Sequence, residues 1–235
     1  MDDRRVLWVA GGGSGMGAAA ARSAAGAGWR VVVSGRRPDV LMETAAAIGP
    51  AATALPVDVR DADAVAAARA EVLERHGRLD GLVLAAGANT PRRRWADQDI
   101  ATFHDVVATN FGAVATVLDA ALPDLRRSAG VVVVVSSVAG WVHRDGAGVA
   151  YSASKTAVGS LVRSLNAEEA RHGVRACHLC PGDVATDFLD LRPEVPDATA
   201  RARMLTPDDV AAAIQHVLDA PPHVRVDELV LTPVV

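Results

Sequence analysis

Two side-chain types are almost missing from this sequence, and a third class is scarce. Only 3% of the residues are aromatic, with a single tyrosine, Tyr151, and a single lysine, Lys155; every other basic residue is Arg or His. Half of the chain is hydrophobic all the same, so its core must be built from Val, Leu and Ala. Positive charge is not in excess either. A net charge of -4 and a pI near 6.0 argue against a nucleic-acid or membrane-surface partner. No apolar run approaches the roughly 20 residues of a membrane span, and the acidic start MDDRR is unlike a signal peptide. A soluble, cytoplasmic protein is the expectation.

Cysteine is rare as well: Cys177 and Cys180, within GVRACHLCPG. The flanks read as a buried strand ending in a turn. Three steps along a strand set the two Cα atoms about 10 Å apart, with side chains on opposite faces. A disulfide tolerates under about 7 Å. Two core thiols are expected, with no metal site and no redox pair. At 235 residues the chain is long enough to bury roughly 70% of its unfolded surface without such staples.

What the chain does contain is a regular alternation. Val-rich runs occur at 5–11, 29–35, 52–58, 79–87, 130–137, 174–182 and 227–233. They are unbroken rather than alternating, which suits strands buried on both faces of a parallel sheet. Helical patterns lie between them, at 15–27, 39–48, 61–76, 99–127, 151–172 and 206–219. The last opens with Thr206-Pro207-Asp208-Asp209: a cap, a first-turn proline and two acids at the positive dipole end. No linker, composition shift or repeat divides the chain. The pattern predicts an α/β fold, a doubly wound parallel seven-stranded (Rossmann) sheet in a single domain over 1–235.

The first Val-rich run leads into AGGGSGMGAAAAR, with Gly11, Gly15 and Gly17 spaced G-x-x-x-G-x-G. Glycines there permit a tight turn and let helix amides approach a pyrophosphate. No Gly-Lys-Ser/Thr follows, which excludes a P-loop. Farther along, Tyr151 and Lys155 stand four apart, on one face if 151–172 is a helix. A phenol of pKa about 10 cannot serve as a base at neutral pH unless a nearby cation favours its phenolate. A lysine one turn away is such a cation.

Together these motifs resemble the short-chain dehydrogenase/reductase family in its single-domain form, over nearly the whole chain. The glycine turn matches, with Ala10 where the family usually has Thr. Asp58-Val59 matches the acidic position after the third strand that contacts adenine. Asn110, in TNFGAV, matches the active-site helix asparagine, and Ser137, ending VVVVVSS, the catalytic serine. Tyr151 and Lys155 match Y-x-x-x-K, and Pro181-Gly182-Asp183-Val184-Ala185-Thr186 matches P-G-x-V-x-T. Two departures stand out. Asn-Asn-Ala-Gly is replaced by Leu84-Ala85-Ala86-Gly87, and 14 residues separate Ser137 from Tyr151, one more than expected, with Ser136 as the fallback if the register slips.

The resemblance implies hydride transfer at a nicotinamide. Tyr151 would exchange a proton with the substrate oxygen, Ser137 would hydrogen-bond that oxygen, Lys155 would lower the Tyr151 pKa and hold the ribose, and Asn110 would anchor a relay water. Cofactor contacts are expected from Gly11, Ser14, Gly15, Met16, Gly17, Arg36, Arg37, Asp58, Val59, Ala86, Gly87, Tyr151, Lys155, Pro181, Gly182, Val184 and Thr186. NADP is preferred over NAD, because the end of the second strand carries Gly35 and then Arg36-Arg37 where NAD users place an acid. Residues 187–205 would form the substrate loop, where Phe188, Leu189 and Leu191 could close over a ligand. The run Arg92-Arg93-Arg94-Trp95 is either solvated or receives a carboxylate. The C-terminal stretch resembles NADP-dependent 3-hydroxy acid dehydrogenases, implying a small alcohol or hydroxy acid substrate. Alternatives are a 3-oxoacyl-carrier-protein reductase and a non-catalytic dinucleotide sensor; an extended-branch epimerase would call for a longer chain. A homo-tetramer or homo-dimer is implied, through 99–127, 151–172 and the last strand.

Overall fold

All seven Val-rich runs become strands, and their β-branched residues explain why. In the computed structural model, which describes residues 4–234, β1 is Val6–Ala10, β2 Arg30–Gly35, β3 Ala52–Pro56 and β4 Gly81–Leu84; β5 is Val131–Val135, β6 Arg175–Pro181 and β7 Glu228–Leu231. Met1 to Asp3, the start of the acidic N-terminal stretch, lie outside the described residues. Every strand pair is parallel, in the order β3-β2-β1-β4-β5-β6-β7. The order reverses between β1 and β4, and such a switch point opens a crevice at the strands' carboxyl ends. That crevice carries the site.

Helices cover both faces. Against one face, Val6, Trp8 and Val132 pack with Val65 and Val72 of α3 (Ala62–His76), Val117 and Leu125 of α5 (Ala113–Ser128), and Val158 of α7 (Val149–Glu169). Against the other, Leu7, Val31 and Val133 meet Ala20, Ala21 and Ala24 of α1 (Gly15–Gly26), Leu41 of α2 (Pro38–Ile48) and Ile214 of α9 (Pro207–Leu218). The indole of the fully buried Trp8 donates to Ser34 Oγ at 2.8 Å, which satisfies its one polar group. Thr206 and Asp209 form the reciprocal cap that starts α9.

The structure departs from the sequence pattern in three places. The stretch 99–127 is α4 (Ile100–Val107), a π-helical turn at Ala108–Gly112, and α5. A short α6 (Val138–Trp141) follows β5, and α8 (Ala198–Arg201) lies within 187–205. Finally, Ile100–Ser128 taken together is long and apolar enough to cross a membrane by length and composition. That corrects the reading that nothing approaches a span. Its α5 portion instead buries Val114, Val117, Leu118, Ala121 and Leu125 against the sheet.

Cys177 and Cys180 are both free and buried, and burial pushes both thiols up to about 12. Cys180 does meet two possible metal ligands, the register partners His178 and Glu228, within 4.8 Å. His178 Nδ1 already bonds Glu228 at 2.9 Å.

Candidate active site

The chain leaves β1 through the glycine turn, where the Gly11 and Gly12 amides both donate to Ser34 O, at 2.8 and 3.0 Å. Two positions there admit no side chain. Gly11 has φ +83, and a Cβ on it would lie 2.5 Å from Ala86 N; one on Gly17 would lie 2.1 Å from Gly11 O. Ser14 caps α1 in extended conformation without a side-chain bond to the helix, and the first turn holds no acid. The amides of that turn face a cleft of ≈ 450 Å³ running over the carboxyl ends of β1 and β4.

At one end of the cleft stand Gly35, Arg36, Arg37 and Arg60. Arg37 Nη2 reaches Ser14 Oγ at 3.3 Å. Asp58 is gripped by Arg60, with Nη2 to Oδ2 at 2.6 Å and Nε to Oδ1 at 3.1 Å; this pairing holds its carboxyl down at about 2 despite partial desolvation. Val59 lines the cleft beside it, and Ala86 and Gly87 line the stretch after β4. The sequence reading missed Arg60, although it stands only two residues beyond Asp58.

At the other end of the cleft, α7 presents Tyr151 and Lys155 one turn apart, with Lys155 Nζ 5.8 Å from the phenol ring centroid. Lys155 is buried and donates to Val135 O at 2.9 Å, and desolvation lowers its pKa to about 8. Ser137, the cap of α6, hydrogen-bonds with Tyr151, and its Oγ also accepts from Ala139 N at 3.2 Å. Ser136 is buried, lines both the cleft and the cavity beside it, and donates to Lys155 O at 3.1 Å.

Burial raises the Tyr151 pKa, and three effects oppose it: the bond with Ser137, and the charges of Arg93 and Arg192. Sequence reasoning gave the cationic role to Lys155 alone. The two guanidiniums come from the stretch after β4 and from residues 187–205, and only the fold brings them to the phenol.

Asn110 lies in the π-helical turn, fully buried. Its Oδ1 accepts from Ala88 N at 2.7 Å, and its Nδ2 donates to Ala88 O at 2.9 Å and Ser154 Oγ at 3.2 Å. It therefore latches the stretch after β4 onto α7. A Cβ on Gly87 would touch Asn110 Oδ1 at 3.6 Å and Lys155 Nζ at 3.8 Å.

At the end of β6, Pro181 and Gly182 line the cavity next to the cleft rather than the cleft itself, with Gly182 N donating to Leu231 O at 2.7 Å. Val184 bridges Leu205, closing the base of 187–205, while the Thr186 methyl lies 3.4 Å from where a Gly15 Cβ would be. The Phe188 ring lies 6.1 Å from Tyr151. A second cavity of ≈ 330 Å³ adjoins the cleft and shares Met16, Ser136, Tyr151, Thr186 and Phe188 with it; Ser137, Arg93 and Arg192 also line it.

The family model described as short chain dehydrogenase matches residues 5–195. Sulfoacetaldehyde reductase 2 of Chromohalobacter salexigens is 34% identical over 238 residues, 97% of this chain and 94% of its own. Serine 3-dehydrogenase of Agrobacterium fabrum is 31% identical over 237 residues, covering 97% and 94%. The solved structure of an alcohol dehydrogenase from the archaeon Thermococcus sibiricus, complexed with 5-hydroxy-NADP, superposes with a TM-score of 0.88 at 30% identity, covering 99% of this chain and 97% of that one. The chain belongs to the short-chain dehydrogenase family and is an oxidoreductase of that family.

Proposed function

We propose that this protein transfers hydride between NADP(H) and a small alcohol or carbonyl compound bearing an acid group, such as a 3-hydroxy acid. One observation carries the reading: Ser137, Tyr151 and Lys155 converge where a dinucleotide-sized cleft meets a small arginine-lined cavity. The cleft fits the cofactor on its own terms. Gly11 and Gly17 leave no room for a Cβ, the first amides of α1 are not capped by Ser14, and Arg36, Arg37 and Arg60 surround a strand end that lacks an acid. The 5-hydroxy-NADP of the Thermococcus sibiricus structure supports the choice of nicotinamide. Sulfoacetaldehyde and serine, named for two relatives, are both small and acid-bearing.

The cofactor, when bound, accepts or supplies the hydride. Ser14, Gly15, Met16 and Gly17 would hold its pyrophosphate, Arg36 and Arg37 the phosphate on its adenine ribose, and Asp58 and Val59 the adenine. Ala86, Gly87, Lys155, Pro181, Gly182, Val184 and Thr186 would border its nicotinamide half. Tyr151 moves the proton to or from the substrate oxygen, and Ser137 donates to that oxygen as charge develops on it. Lys155 keeps positive charge behind the phenol, while Asn110 holds the stretch after β4 against α7 and supports the water relay. Residues 187–205 form the lid over the substrate.

The test is turnover of 3-hydroxy acids against 3-oxoacyl thioesters with both nicotinamides. The account expects NADP-linked oxidation of a 3-hydroxy acid. Turnover of thioesters alone would make this a carrier-protein reductase. Dinucleotide binding without turnover across a broad carbonyl panel would make it a sensor.

A further inference from the structure

Of the three consecutive arginines after β4, the fold separates one from its neighbours. Arg92 and Arg94 are exposed, but Arg93 is only 5% exposed and lines the cavity beside Tyr151. A guanidinium that deep is expected to face a carboxylate, since an unpaired buried charge costs several kcal/mol. Asp145, Asp183 and Glu194 line the same cavity, but no carboxylate bonds Arg93 among the described residues. Its Nε donates to Thr90 O at 2.6 Å and its Nη2 to Leu191 O, both neutral carbonyls. The charged or titratable groups that act on it are Arg192, which repels it, and the Tyr151 phenol. Arginine has five N–H donors, and the remainder meet no acceptor among the described residues.

The surroundings hold Arg93 in this position. The Val149 amide donates to its backbone carbonyl at 3.0 Å, and Gly148, at φ +104, leaves space for its stem: a Cβ there would lie 2.8 Å from Arg93 Cβ. Arg192 stands at the same cavity, its own charge partly answered by Asp183 at 2.5 Å. Arg94, Arg144, Asp145 and Glu194 line the cavity too, in equal numbers of each sign, and none of the acids pairs with Arg93, which stands next to the reacting phenol.

We propose that Arg93, assisted by Arg192, is the residue that recognises the substrate's acid group: a small oxyanion, carboxylate or sulfonate, completes the ion pair that the protein leaves open. This rests on the reading of the cavity as the substrate site of a small acid-bearing alcohol or carbonyl compound. It adds which residue reads the acid, and that the acid enters the same cavity as the reacting oxygen. A planar guanidinium with free parallel donors suits such a group. Arg93 also ties the lid to the stretch after β4 through Leu191 O, so anion capture and lid position share one side chain.

The experiment measures binding separately from turnover. The NADP+ complex is melted with butanoate, with methanesulfonate, or with chloride at matched ionic strength, in the parent, Arg93→Gln and Arg93→Lys. In the parent, butanoate or methanesulfonate raises the Tm beyond chloride. In Arg93→Gln the oxyanion affinity falls about tenfold to a hundredfold, while NADP+ alone still raises the Tm, which shows a folded cleft. If Arg93→Gln does not fold, Arg93→Lys decides, with oxyanion affinity at least tenfold below the parent. The efficiency ratio of 3-hydroxybutanoate to its methyl ester is then compared across the same proteins; it is high in the parent and falls at least tenfold in the variants. A structural role alone would lower both substrates together and leave the ratio in place. Oxyanions no better than chloride in the parent, or variants that match it, overturn the proposal. Oxyanion binding without turnover of any 3-hydroxy acid leaves the Arg93 site standing and removes the hydroxy-acid reading instead.

Discussion

Replacing Gly17 with alanine tests whether the glycine turn exists for a ligand or merely for a bend. The added Cβ would lie 2.1 Å from Gly11 O and 2.8 Å from Gly11 C, both backbone atoms that cannot rotate aside. Ordinary contact begins near 3.4 Å, so α1 must retreat by more than an ångström. The helix resists, because Ala20, Ala21 and Ala24 are fully buried against the sheet. Overpacking of this kind costs about 1–3 kcal/mol of stability. Moving the first-turn amides away also forfeits at least one hydrogen bond to a charged group, worth roughly 1.5–3 kcal/mol, or a tenfold to hundredfold rise in the Kd for NADPH. Fluorescence titration with NADPH and a thermal melt read the two losses. Gly26→Ala is the control in the same helix: a Cβ there meets nothing within 4 Å, and the change should be neutral or stabilise by up to about 1 kcal/mol. Parent-like NADPH affinity in Gly17→Ala would refute the close-approach argument.

Arg36→Ala should lower the ratio of catalytic efficiencies with NADP and NAD by about tenfold to a hundredfold; a parent that prefers NAD, or an unmoved ratio, contradicts the phosphate-reading role. Burial holds Lys155 down from 10.5 to about 8, so its ammonium form opposes folding fully below pH 8, and that penalty is relieved as pH rises through 8 towards 10. The Tm of Lys155→Met relative to the parent should therefore be higher at about pH 7 than at about pH 10, while turnover falls; a pH-independent difference would contradict the assigned cause. Sedimentation should give a dimer or tetramer, joined through α4–α5, α7 and β7, and monomer alone would reject that expectation.

The fold was legible in the sequence because its signals are local. Unbroken valine runs mark strands buried on both faces, and the start of α9 is written in four consecutive residues. Tyr151 and Lys155 stood out because the chain uses neither residue elsewhere. Other features depend on tertiary contact and left no such trace. The π-helical turn that buries Asn110 lies inside an otherwise continuous helical pattern. Nothing in three consecutive arginines marks the middle one as buried, because that is decided by Gly148 and Leu191, which lie 55 and 98 positions away in the sequence. Arg192 reaches the phenol only because the Val184–Leu205 bridge folds its loop back over the cleft.

The central claim is that Tyr151 carries the proton in an NADP(H)-linked reaction, assisted by Ser137 and Lys155. Tyr151→Phe removes one hydroxyl and keeps the ring that packs near Phe188. The direct measurement is single-turnover kinetics of this variant, beside NADPH titration of the same sample. The account predicts loss of at least about a hundredfold in the chemical step, the lower end of general acid–base contributions, with NADPH affinity nearly that of the parent. A phenylalanine variant that turns over at the parent's rate would contradict it.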